Sequence, residues 1–306
     1  MSIAIIAPGR NTEELVEHIR SMKHSVEVSV YPNHKLDASM AIVWNQPKGL
    51  LAEFKNLKLV SSLGAGVEHI CKEELAEKIK VSRIVDPDLS SSMVKYINLV
   101  VLYYQKNFQL HIDQNEKKLW KSTEKPDREL KVGILGAGEM GQEVAKSLYN
   151  LGFEVLTFSN TDKEIEGVLS YNSSDHTITD FVSMVNCLIC LLPLTPQTEN
   201  ILNFGLFQSL PKSSILINVA RGGHLVEGDL FKAIESGYIS DACLDVFREE
   251  PLPASHPFWN HENILVTPHI ASITNQKNAA AIVLENYKRL KNNQSLLYEV
   301  DRRKGY

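Results

Sequence analysis

Residues 131–148 read KVGILGAGEMGQEVAKSL. The first five form a short apolar run of strand character, and from Glu139 onward the apolar residues recur at helical spacing. Between them Gly136, Gly138 and Gly141 fall at the G-x-G-x-x-G spacing. Gly136 would allow the tight turn, Gly138 would let the backbone approach a pyrophosphate, and Gly141 would let the helix pack on the strand. The helix N-terminus adds unpaired N–H groups and a positive dipole for the phosphates. A Gly-rich turn that binds nothing could share the spacing. The strand–turn–helix setting is what points to a dinucleotide.

On both sides of this turn, short apolar runs alternate with helical patterns. Downstream, strands are expected at 153–158, 187–192, 214–220, 239–246 and 264–268, with helices at 139–150, 180–185 and 226–236, the last closed by Gly237. Upstream, strands are expected at 2–7, 26–31, 41–44, 58–63 and 83–85, and helices at 12–22 and 67–80. Such alternation implies α/β architecture with parallel sheets covered on both faces. Residues 90–120 contain no Gly or Pro and read as one long helix or two abutting ones. A polar break follows at 121–130, and a last helix is expected over 275–291.

At 306 residues, two domains are expected. The formal charge, 32 − 37 = −5, argues against a nucleic-acid partner, which calls for a basic excess. No apolar run approaches the roughly 18 residues that span a bilayer, so no membrane association is expected. The opening SIAIIAP has no basic flank and is too short for a signal peptide. Four cysteines, Cys71, Cys187, Cys190 and Cys243, would be a sparse disulfide framework, which favours a reducing, cytoplasmic setting. Cys187 and Cys190 spell C-x-x-C, but on a strand they point to opposite faces. They read as two core cysteines rather than a redox or metal pair, and no metal site is expected.

The choice of dinucleotide rests on the end of the second strand of this half. An acidic residue there would bind a ribose 2′-hydroxyl and select NAD. The chain instead reads Ser159-Asn160-Thr161-Asp162-Lys163, neutral at the expected position and with Lys163 nearby, which favours NADP over NAD. No arginine stands there to clamp a 2′-phosphate. A second cluster, Gly64-Ala65-Gly66, follows a strand of the first half; it can offer backbone N–H donors to a carboxylate, or be a plain turn. Arg221, Glu250 and His269 each follow a strand of the second half, at the sheet edge where open α/β folds bind ligands. Singly, each has a bland reading: a surface charge, a loop acid, a strand-end histidine. Together they suit reduction of a 2-oxo acid. Arg221 would grip the carboxylate, His269 would protonate the developing alkoxide, and Glu250 would orient the ring and raise its pKa.

Six segments in order, LGAGVE, VGILGAGEMG, LLPLTPQT, INVARGG, LDVFREEPLP and TPHIAS, resemble the D-isomer-specific 2-hydroxyacid dehydrogenase family along nearly the whole chain. Trp44, the LGAGVE loop, the SITNQ stretch and the closing DRRKGY are most similar to its glyoxylate/hydroxypyruvate reductase A group. The resemblance implies a Rossmann cofactor domain (98–274) inserted in a discontinuous flavodoxin-like substrate domain (1–97 and 275–306), each a doubly wound parallel sheet, with the active site in the cleft between them. It implies that Arg221 holds the substrate carboxylate, Glu250 rather than Glu249 partners His269, and Ala65 and Gly66 offer N–H groups beside a wall formed by Trp44. It also implies that Ala137, Glu139 and Met140 complete the pyrophosphate turn. Leu192, Pro193 and Thr198 would pass the adenosine ribose, and Val219, Ala220, Asp245 and Ala271 would surround the nicotinamide. A homodimer is implied, with Trp120 reaching a partner's site. Lys95 stands where the family more often has Glu. The alternatives are a cofactor-sensing protein resembling the C-terminal binding protein corepressors, and a phosphoglycerate or other D-2-hydroxyacid dehydrogenase. The chain ends near the core pattern, which favours an enzyme over a corepressor. A phosphorylated substrate would call for more basic residues near LGAGVE, where only Lys72 stands.

Overall fold

A computed structural model describes residues 2–23, 25–122 and 127–302. The centre of the polar break, 123–126, and the last four residues of DRRKGY lie outside the described residues. The chain divides into two units: Met1–Leu89 with Ile273–Tyr306, and Ser90–Ser272.

The first unit carries β1 (Ser2–Ile6), α1 (Glu13–Met22), β2 (Glu27–Val30), β3 (Met40–Val43), β4 (Leu59–Ser62), α2 (Glu68–Cys71) and β5 (Lys80–Ser82). All its strand pairs are parallel, in the order β2-β1-β3-β4-β5. This is the flavodoxin-type order, and its reversal point lies between β1 and β3. Strands β1, β3 and β4 are buried along their length, which is why β1 and β3 read as apolar runs rather than alternating ones, while β4 buries Ser61 and Ser62 after Leu59 and Val60. Leu15, Val16 and Ile19 form the buried stripe of α1. Its start is tied to the chain's last helix, Gln276–Lys291, because Gln276 Oε1 accepts from the Leu15 N–H at 2.9 Å.

Two expectations fail here. The fifth strand is Lys80–Ser82, not 83–85, since Lys80–Ser82 pair with Leu59–Ser61 while the Arg83 N–H turns to the Tyr298 carbonyl. The helix expected over 67–80 is a single turn. Leu75 and Ile79, spaced like helix positions, are buried on consecutive turns that return the chain to the start of β5.

The second unit opens within α3 (Pro87–Gln105), followed by α4 (Phe108–Glu116). The long Gly- and Pro-free stretch is therefore two abutting helices, broken at Asn107, whose φ of +50° no helix continues. Then follow β6 (Lys131–Leu135), α5 (Glu139–Asn150), β7 (Glu154–Ser159), β8 (Leu169–Asn172), α6 (Ile178–Val182), β9 (Cys187–Cys190), α7 (Phe204–Ser209), β10 (Ser214–Asn218), α8 (Glu227–Glu235), β11 (Ile239–Leu244) and β12 (Ile264–Val266); the chain's last helix is α9. The sheet is parallel throughout, in the order β12-β11-β10-β9-β6-β7-β8. This is the dinucleotide-binding order 3-2-1-4-5-6 with one strand added beyond the last, and its reversal point lies between β6 and β9. Sequence periodicity missed β8, a half-exposed edge strand with little apolar content, and the short α7. Cys187 lies in the cluster of Val132, Ile134 and Leu148, while Cys190 lies in that of Phe181, Phe207 and Leu216, on opposite faces of one sheet. Burial pushes both thiols up to about 12. No described helix is long and apolar enough to cross a membrane.

The glycine turn is tightly built. Gly136 has φ +105°, which L side chains rarely adopt, and a Cβ on Gly141 would lie 1.9 Å from the Gly136 carbonyl oxygen. A Cβ on Gly138 would meet nothing within 4 Å. Gly141→Ala is therefore expected to destabilise the second unit by at least about 2 kcal/mol. Gly138→Ala should leave the melting temperature essentially unchanged, and thermal denaturation of both variants checks the contrast.

Candidate active site

In the first unit, Trp44, Gly64, Ala65 and Gly66 follow β3 and β4 at the carboxyl edge of the sheet. The Trp44 ring lies over Gly64, where a Cβ would come within 2.6 Å of it, and tilts against the His69 ring at 5.3 Å. Ser62 shapes the small-residue loop: its hydroxyl donates to the Gly66 carbonyl at 2.6 Å and accepts from the Gly64 N–H at 3.2 Å. The loop is thus bracketed by the Ser62 side chain at both of its glycines.

In the second unit, the expected catalytic residues converge. Glu250 Oε2 accepts from His269 Nδ1 at 2.7 Å, and Oε1 accepts from the Phe247 N–H at 3.0 Å. With Nδ1 donating to a carboxylate, Nε2 is the nitrogen that can serve a substrate. Burial alone would raise the Glu250 pKa. The hydrogen bond and charge of His269, the Phe247 N–H and the charge of Arg221 outweigh it and lower the pKa. Arg221 follows β10 with extended backbone, and its Nη1 donates to the Ala220 carbonyl at 2.6 Å.

The backbone at His269 is strained, with φ +55°, and a buried carboxylate holds it so. Asp245, at the end of β11, accepts from the Thr267 hydroxyl at 2.6 Å and from the N–H groups of Ile270 and Ala271 at 2.9 and 2.8 Å. Its own carbonyl accepts from the His269 N–H at 2.9 Å. Tyr96 donates in turn to the Thr267 hydroxyl at 2.5 Å. Burial raises the Asp245 pKa against the pull of these donors. The Asp245 carboxylate, at a position that the resemblance puts beside the nicotinamide, thus faces the histidine turn.

Sequence reasoning missed His224. This fully buried ring stands with Nδ1 3.0 Å from the Arg221 carbonyl and Nε2 3.3 Å from that of Pro193, between the arginine loop and the loop after β9. Asn218 Nδ2 also donates to the Arg221 carbonyl, at 3.1 Å. Nothing in the spacing of RGGH sets this histidine apart from a surface one.

The expected cofactor positions follow the carboxyl ends of β6, β7, β9, β10 and β12. Gly136, Ala137, Gly138, Glu139, Met140 and Gly141 form the turn and first helical residues after β6. The open space at Gly138, before a twelve-residue helix, fits a pyrophosphate. Leu192 packs on the core after β9, and Thr198 closes its loop by donating to the Pro193 carbonyl at 2.6 Å. Val219, Ala220 and Ala271 are buried at the ends of β10 and β12. At the end of β7, Ser159 donates to the Thr161 carbonyl at 2.7 Å, and Asn160 accepts from the Ser173 hydroxyl. Asn172 of β8 holds the Asp162 carboxylate. Among the described residues, no cluster of His, Cys, Asp and Glu could hold a metal ion.

The NAD-binding-domain model of the D-isomer specific 2-hydroxyacid dehydrogenases matches residues 98–271. The chain is 43% identical over 276 residues to the glyoxylate/hydroxypyruvate reductase A of Photorhabdus laumondii, covering 88% of each. It is 36% identical to that of Serratia proteamaculans, over the whole of both. Among solved structures, a D-isomer specific 2-hydroxyacid dehydrogenase from Xanthobacter autotrophicus Py2, in complex with NADPH and MES, is similar with TM-score 0.90 and 32% identity, covering 100% of this chain and 99% of the other. The NADPH-dependent glyoxylate/hydroxypyruvate reductase of Sinorhizobium meliloti, in complex with NADP and sulfate, gives TM-score 0.91 at 29% identity with the same coverage.

The Glu250–His269 pair can be tested through pH. A carboxylate whose pKa is lowered on folding contributes stability that is complete above its unfolded value, about 4.3, and lost as pH falls through the lower folded value. The stability difference between wild type and Glu250→Gln should therefore be full at neutral pH and shrink only below about pH 4, as read by denaturant titrations.

Proposed function

The chain belongs to the D-isomer specific 2-hydroxyacid dehydrogenase family, and from that membership we propose that it reduces glyoxylate and hydroxypyruvate to their 2-hydroxy acids with NADPH. It is an NAD(P)H-dependent oxidoreductase of small 2-oxo acids. The observation that carries the assignment is the Glu250–His269 contact on the strained turn after β12, with the charge of Arg221 reaching Glu250.

The bound cofactor supplies the hydride. Arg221 grips the substrate carboxylate through its planar guanidinium. In the first unit, Ala65 and Gly66 are the residues whose backbone N–H groups would serve as further donors, beside Trp44. His269 gives its Nε2 proton to the oxygen that becomes the alcohol. Glu250 keeps the ring in the Nδ1-H tautomer and stabilises the imidazolium before transfer. Asp245 does not exchange a proton; it fixes the turn that aims the ring. The Gly136–Gly141 turn and the α5 N-terminus would hold the pyrophosphate, and Ser159, Asn160 and Thr161 would bind the ribose. The neutral end of β7 supports NADPH over NADH, as do solved relatives that hold NADPH or NADP. The two-domain map, with a substrate domain of 1–97 and 275–306 around a cofactor domain of 98–274, belongs to the same proposal.

We further propose a homodimer formed through α3, α4 and the segment after them. Leu99, Leu102, Phe108, Leu119 and Trp120 are exposed there, more apolar surface than a lone chain usually leaves on one stretch. Four free cysteines support a reducing cytoplasmic setting.

A panel of 2-oxo acids with both cofactors tests the assignment. Glyoxylate and hydroxypyruvate should be reduced with NADPH preferred, and His269→Ala should lower kcat by about 10²- to 10⁴-fold. Near-normal turnover of that variant, or a clear NADH preference, would refute the respective part. Light scattering should give twice the chain mass, and Leu99→Asp should shift the protein to monomer.

A further inference from the structure

In dinucleotide-binding sheets, the residues after the second strand meet the ribose; an acid there selects NAD, and a cation nearby accommodates a 2′-phosphate. Here that segment is Ser159-Asn160-Thr161-Asp162-Lys163, with one acid, one base and no arginine. The acid is held from the outer side of the sheet. Strand β7 lies between β6, which leads into the glycine turn, and the edge strand β8. Asn172, the last residue of β8, is buried and stands in register with Ser159. Its Nδ2 donates to the Asp162 carboxylate and, at 2.9 Å, to that of Asp175. Its Oδ1 accepts from the N–H groups of Ser174 and Asp175 at 2.8 and 3.1 Å. The two donors and two lone pairs of the amide are thereby all used. The Ser173 N–H adds a bond to the Ser159 carbonyl at 3.0 Å, so the end of β7 is tied along β8 at several points. Asp162 and Asp175 are both exposed and carry like charge. The amide between them is what keeps them together; without it they repel and separate.

We infer that Asn172 is a specificity-determining residue for the cofactor: by tying Asp162 to β8 it keeps the acid of this segment away from the ribose, so that a 2′-phosphate is accepted without an arginine. Lys163 then sets the local charge, and a lysine serves a phosphate as a point charge. The inference rests on the reading of the glycine turn as a dinucleotide site and of NADPH as its occupant.

Calorimetric titration of the full chain with NADP⁺ and with NAD⁺ tests this directly. Wild type should bind NADP⁺ at least about tenfold more tightly than NAD⁺. Asn172→Ala should release Asp162 and shrink that ratio by about tenfold, the scale of repulsion between a carboxylate and a phosphate across one loop. Asn172→Ser, which keeps an acceptor oxygen for the Ser174 N–H, should shift it in the same direction. Both cofactors are titrated on one preparation, so a lower folded fraction cancels in the ratio. Adding Asp162→Asn to Asn172→Ala should restore the wild-type ratio, whereas Asp162→Asn alone should move it by less than about threefold. An unchanged ratio in both Asn172 variants, or an equal loss of affinity for both cofactors, would overturn the assignment and leave Asn172 a brace of the turn after β8. A gain in NADP⁺ preference of about tenfold from Asp162→Asn alone would overturn it too, because the acid would then already face the ribose. Preference for NAD⁺ by wild type, or binding of neither dinucleotide, would overturn the cofactor reading itself and the role of Asn172 with it.

Discussion

Asp245 is buried at the end of β11 with three donors on its carboxylate, all from the turn that carries His269. A buried charge is tolerated only when donors replace its lost hydration, so the turn is held to whatever shape delivers those donors. That shape includes a left-handed residue at His269, which a histidine does not adopt without compensation. The strain is what brings Nδ1 to Glu250. The apparent catalytic pair is thus the outer part of a longer chain of contacts, running from the Tyr96 hydroxyl through Thr267 and Asp245 to the turn, and then through the ring to Glu250. Removing an inner member would disturb proton transfer without touching a reacting atom.

The two sheets share one topological feature. In each, the strand order reverses once, and loops beside the reversal carry expected site residues: the glycine turn and the loop after β9 in one unit, Trp44 in the other. The net charge gives this feature its electrostatic content. An acidic chain that handles anionic substrate and cofactor must concentrate positive potential locally. It does so with oriented N–H groups at the glycine turn and with Arg221 in the loop after β10, where little of the folded core has to accommodate a charge.

The sequence made the second unit largely readable, because strand, glycine turn and helix lie within eighteen consecutive residues and each level of reading agrees with the next. The first unit was less readable. Its helical spacing at Leu75 and Ile79 imitates an amphipathic helix that the short return to β5 does not allow. Arg221, Glu250 and His269 were singled out because each follows a strand run. His224 was not, because its significance lies in a partner that only folding brings near: the Pro193 carbonyl, 31 residues away. The β7 end shows a third limit. Sequence shows that no arginine is there, but only the structure shows Asp162 tied to Asn172 of a neighbouring strand.

The placement of the cysteines has a practical side. Burial pushes the thiols of Cys187, Cys190 and Cys243 up to about 12, and each is sealed inside the core, so none offers a thiolate at neutral pH. Thiol-alkylating reagents therefore have no ready target in the second unit. Cys71, half-buried at the end of α2, is left as the addressable thiol among the described residues. A fluorophore or spin label attached there would report on the first unit alone, without any need to remove the other thiols.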